Sequence, residues 1–200
     1  MKLKYWILIA FFWTSIIKES EANRHQLSGT GHLKIEQRET ESYSLMTNDS
    51  ILIENKANHK FSQIDKNDVF YICVKGESLL KGKAVFTITN SEGIEIYREE
   101  FPSINLIGYD LPKGIDTPKK AQEDFIKKRI LEFFCEKNFK TPAIKPNETF
   151  DEEYSEKDIW ENIKNDKNAI GFYFLIGEED GRNIAYSKSK KKVVLYFNCC

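Results

Sequence analysis

KAVFTIT at 83–89, NSEG at 90–93 and IEIYR at 94–98 decide the fold class of this chain. The first and third runs alternate apolar with polar residues, the period of a strand with one face in a core. The four residues between them are turn formers, with Asn first and Gly last, so the three pieces read as a β-hairpin. Alternation favours Phe86 and Ile88 over Val85 and Thr87 as the inward pair, and places Ile94 and Ile96 on one face. Immediately upstream, VFYICV at 69–74 is rich in aromatic and β-branched residues and adds a third strand.

Downstream, GYDLPKGIDTP at 108–118 carries two Pro and two Gly and breaks the sheet pattern. Thr117-Pro118 then starts a helix, Thr as N-cap and Pro at the first helical position. The helix is expected over 119–138, with Ile126, Ile130, Phe133 and Phe134 as one stripe. Phe125, Leu131 and Cys135 lie to its other side, so the helix is expected to be covered on both sides. After an irregular stretch at 141–154, Ser155 is placed as the cap of a short helix whose apolar side is Ile159, Trp160 and Ile163. AIGFYFLI at 169–176 reads as a central strand, and 184–187 and 193–197 complete a three-stranded meander. The predicted class is α+β: an antiparallel β-meander, two helices, then a C-terminal three-stranded antiparallel meander.

The N-terminal part has a different character. Lys2 and Lys4 precede an uncharged run over 5–17, and Ser20-Glu21-Ala22 offers small residues at the positions a signal peptidase reads. Residues 1–22 are therefore expected to be a cleavable signal peptide. The run is shorter than the roughly 20 apolar residues a membrane span needs, so no stable span is expected after cleavage. Residues 23–67 are the least readable segment, with short strands suggested at 33–35 and 50–54. Residues 68–200 form the predicted α+β domain. The expected location is secreted or periplasmic. No Cys follows Ala22 closely, which argues against lipid anchoring.

The first 22 residues hold three Lys and two Glu, so the remaining 178 carry 27 basic and 29 acidic side chains. Such a balance argues against nucleic acid as a partner. Cys73, Cys135, Cys199 and Cys200 are even in number, and export makes disulfide bonding the expectation. One bridge with two unpaired thiols stays open beside two bridges. Neither C-x-x-C nor Cys/His metal spacing occurs, and no metal or cofactor is expected. His25, His32 and His59 all precede residue 60 and read as exposed polar side chains.

The acidic runs 151–153 and 178–180 read as solvated turns, since calcium loops alternate their ligands. KSKKK at 188–192 reads as an edge-protecting turn. No phosphate-binding glycine loop, nucleophile elbow or H-E-x-x-H motif is present. Tyr173, Tyr186 and Tyr196 in the last sheet are candidates for a ligand-stacking face, if they share one side.

The tail IAYSKSKKKVVLYFNCC resembles the ends of small exported bacterial proteins of the Bacteroidota type that close on a Cys-Cys pair. The resemblance covers the last fifth of the chain. It implies a periplasmic or outer-surface location and no particular activity. The function expected is a non-enzymatic binding or structural protein of the cell envelope, with an envelope protein or glycan as partner. The alternatives are a hydrolase with scattered active-site residues and an inhibitor or immunity protein against a partner enzyme.

Overall fold

The computed structural model describes residues 50–108, 111 and 117–199. The signal segment 1–22, the strand suggested at 33–35, His25, His32 and Cys200 lie outside the described residues.

The chain is α+β, built on two four-stranded antiparallel sheets. The first sheet is a meander of β1 (Ile51–Lys60), β2 (Asn67–Lys75), β3 (Lys83–Thr89) and β4 (Glu95–Pro102). The hairpin read from the sequence is β3–β4. Its turn is closed by Asn90, whose Oδ1 accepts the amides of Glu92 and Ile94 at 3.0 and 2.9 Å. Gly93 takes φ +80°, the left-handed region that glycine enters without steric cost. Phe86 and Ile88 point into the core, as expected from alternation, opposite Ile72 and Phe70 of β2.

β1 is longer than the 50–54 segment suggested. Its sequence hides it, because Glu54, Lys56, Asn58 and Lys60 face solvent, while of the half-buried Ile53, Asn55, Ala57 and His59 on the other side just two are aliphatic. An edge strand with one wet face needs few apolar residues.

α1 (Lys119–Glu132) follows, with Ile126 and Ile130 buried on one face. It starts at Lys119 as expected, with Pro118 instead of Thr117 in the cap position, and ends six residues early. Phe133, still in helical dihedrals as the C-cap, and Phe134 both enter the core. The exposed carbonyls at the helix end find donors. Asn55 Nδ2 bonds the Ile130 and Leu131 carbonyls at 2.9 and 3.0 Å, and Asn138 Nδ2 bonds Phe133 at 2.9 Å. The second apolar side is covered in part: Phe125 packs half-buried against the large core, whereas Leu131 is 64% exposed.

The second sheet orders β5 (Phe139–Lys140), β6 (Gly171–Leu175), β7 (Gly181–Ser187) and β8 (Lys192–Cys199). β5 is a two-residue strand that makes the expected three-stranded meander four-stranded. Between β5 and β6 lies α2 (Lys157–Asn165). Trp160 and Ile163 are buried on its apolar side, and Ser155 does not cap it.

Two cores result. The larger lies between the sheets, where the Phe86 ring meets Phe133, Phe172 and Phe174 at centroid distances of 5.3, 5.6 and 5.2 Å. The smaller lies on the other face of the second sheet, where Ala185, Val194 and Tyr196 meet Trp160, Ile163, Ala143 and Ile144. β6 buries Phe172 and Phe174 in the larger core and Gly171 on its other face, where Tyr173 and Leu175 are half-buried. No helix among the described residues is long and apolar enough to cross a membrane.

Candidate functional site

Four separate segments converge on Tyr186. They are residues 60–64 after β1, Thr141 beside β5, residues 162–170 across the end of α2, and Tyr186 to Ser189 at the β7–β8 turn. Between them run two lobes of one groove, about 180 and 380 Å³, which share Asp166, Tyr186 and Lys188.

Each segment is held by its own polar contacts. Asp68 is a fully buried carboxylate at the start of β2. It accepts the Ser62 amide through Oδ2 and the Ser62 hydroxyl through Oδ1 at 2.8 Å, which pins the loop after β1. A buried carboxylate is tolerated only when so bonded. Phe61 of the same loop packs edge-on to Phe70 at 5.2 Å. After α2, Asp166 shapes the turn: its carbonyl accepts the Ala169 amide at 2.9 Å and its Oδ1 the Asn168 amide at 3.1 Å. Its Oδ2 takes Lys188 Nζ at 2.7 Å, tying the basic loop back to the body. Ser187 donates to Asn162 Oδ1 at 2.7 Å and accepts the Lys190 amide at 3.1 Å.

The lobes differ in character. Phe61, Ile64, Ala169 and Ile170 give the first an apolar lining, beside Lys60, Thr141 and Asn168. Asn162, Asn165, Asp166 and Ser189 make the second mostly polar. Ile64 is 61% exposed, a large apolar side chain left open beside polar neighbours.

The three candidate tyrosines do not share a face. Tyr173 stands opposite Asn183 on the side of the second sheet that also carries Ala185, while Tyr186 stands opposite Val193 on the reverse side. Tyr196 is buried in the smaller core and donates its hydroxyl to the Ala143 carbonyl at 3.0 Å. Burial, with Glu148 nearby, pushes its ionisation well above the ordinary tyrosine range. Tyr173 lines another cleft, of about 210 Å³, with Leu106, Phe133 and Lys137. Tyr186 alone of the three lines the groove.

Cys73 and Cys135 are free thiols, and no disulfide joins Cys73, Cys135 and Cys199 to one another. Cys73 alternates with Phe70, Ile72 and Val74, so it faces away from the large core, whereas Cys199 ends β8 in the other sheet.

His59 is not the exposed side chain expected. It stacks on Phe139 with centroids 3.6 Å apart, and its Nε2 lies 3.7 Å from Glu136. Burial lowers its pKa below the usual value, and Glu136 opposes the shift. Among the described residues, no group of three or more His, Cys, Asp or Glu is placed to hold a metal ion. The acidic runs act as turns: Asp151 Oδ1 accepts the Glu153 amide at 3.0 Å, and Asp180 holds Arg182.

The sequence singled out Tyr186 and the basic loop but missed Asp166, Asn168 and Ser62. The run of turn residues at 165–168 was the only signal available for the first two. Compared with known proteins, the chain matches no family model, no curated protein and no solved structure.

Proposed function

We propose that this chain is an exported, non-enzymatic binding protein of the cell envelope, and that the groove around Tyr186 is its contact surface. One observation carries the reading: segments far apart in sequence meet around Tyr186, and the loop after β1, the turn after α2 and the β7–β8 turn are each pinned by polar contacts of their own. A site held in shape before its ligand arrives loses little ordering entropy on binding. The signal-like residues 1–22 and the resemblance of the tail support the envelope as its location. The near-neutral charge supports a partner other than nucleic acid.

The test is co-sedimentation of the purified protein with envelope fragments, beside Tyr186→Ala and a Lys191→Ala control. The reading expects the parent and the control to sediment with the fragments and Tyr186→Ala, still folded by circular dichroism, to stay in solution. Equal sedimentation of all three would sink it.

A further inference from the structure

We infer that the groove takes a glycan bearing an N-acetylated amino sugar, an inference that rests on the binding reading above. Three features of the groove converge on this chemistry. Tyr186 lines both lobes, so an aromatic residue stands where they meet. A sugar ring presents a face of C–H groups that packs on an aromatic ring. In the polar lobe, Asn162, Asn165, Asp166 and Ser189 set amides, a carboxylate and a hydroxyl side by side. Asp166 and Asn162 Oδ1 already hold Asn168, Lys188 and Ser187, so the donors and acceptors for a sugar's hydroxyls are the Asn162 and Asn165 amide groups and the Ser189 hydroxyl.

The other lobe sets the class of sugar. Its apolar lining of Phe61, Ile64 and Ile170 gives a hydroxyl nothing to bond, while Thr141 and Asn168 in the same lobe bring polar atoms. An acetamido group matches that combination: an amide for the polar atoms and a methyl for the apolar lining. Ile64, 61% exposed, contributes little to either core and is left wet by a plain glucan.

The experiment is titration of the purified protein with the N-acetylglucosamine trimer and the glucose trimer, followed by tyrosine fluorescence and calorimetry. Saturable binding of the acetylated trimer is expected, with the glucose trimer weaker by about 10-fold, the low end for one methyl in an apolar site. Tyr186→Ala removes binding of both. Ile64→Ser, at an exposed position where folding is not at risk, brings the acetylated trimer down to the level of the glucose trimer. Equal affinity of the two trimers, or an Ile64→Ser that keeps the preference, overturns the inference. If neither trimer binds while Tyr186→Ala still loses the envelope fragments, the glycan class is wrong and the groove stands. If neither binds and Tyr186→Ala sediments like the parent, both fall.

Discussion

Arg182 Nη1 lies 2.6 Å from Glu99 Oε2, joining residues 83 positions apart. Each stands on the core-facing side of its own sheet. Glu99 is opposite Phe86 on β3, and Arg182 is opposite Phe174 on β6. Arg182 also grips Asp180 with two bonds of 2.8 and 2.7 Å, and Tyr97 donates to Glu99 at 3.1 Å. The pair therefore closes one side of the space between the sheets with a charged network instead of apolar groups.

Removing one partner should cost more than the pair itself contributes, since the other charge is left facing the core. Arg182→Ala is expected to lower stability by about 1–3 kcal/mol, below the figure for a fully buried pair because both side chains keep about a quarter of their exposure. Urea unfolding measures it. Arg182→Ala with Glu99→Ala should lose less than the sum of the single changes; strict additivity would show that the two do not interact.

Tyr97 and Tyr196 both hold their protons beyond the ordinary tyrosine range, chiefly through burial, with Glu99 acting on the first and Glu148 on the second. Their folded pKa values are raised, so their stabilisation is complete below the unfolded value of about 10. Above it the unfolded chain sheds these protons and the folded chain does not. Stability should fall as pH rises past about 10, by at most about 1.4 kcal/mol per pH unit for each group. Urea midpoints at rising pH, with the phenolate absorbance of native and unfolded protein, check this. A flat profile would contradict it.

Gly171 is held to glycine by its neighbours. A Cβ there would come within 2.5 Å of Tyr196 Oη and 3.1 Å of the Ala143 Cα. Tyr196 is fixed by its bond to the Ala143 carbonyl and has no free direction to move. Gly171→Ala should therefore destabilise by about 1–3 kcal/mol, the range for overpacking, measured as a drop in melting temperature. Gly93→Asn, at an open turn, should change it far less.

Cys73 is 1% exposed, whereas Cys135 is half-buried. Alkylation of the native protein should label Cys135 and leave Cys73 unmodified until denaturant is added. Mass spectrometry of the peptides distinguishes them, and rapid labelling of Cys73 in the native state would contradict its placement under neighbouring side chains on the outer face.

Much of the framework was readable without coordinates because its signals are local. The hairpin at 83–98, the stripe Ile126, Ile130, Phe133 and Phe134, and the run at 169–176 each announce burial through spacing along the chain, and each is where that spacing put it. β1 was only half legible, since an edge strand whose wet face is charged carries little apolar signal. The end of α1 was also hidden, because the donors that take up its last carbonyls, Asn55 and Asn138, come from β1 and from the segment after the helix.

The groove was beyond reach for the same reason. Sequence alone determined the α+β class, the alternation of strands and which faces are apolar, since these follow from residue order and backbone geometry. Tertiary structure decided that Tyr186 and Tyr196 point to opposite sides of one sheet, that Asp166 meets Lys188, and that Cys73 turns away from the large core. Those relationships depend on register, on a bulge in the β7–β8 pairing and on loops brought together across the chain, and no local pattern encodes them.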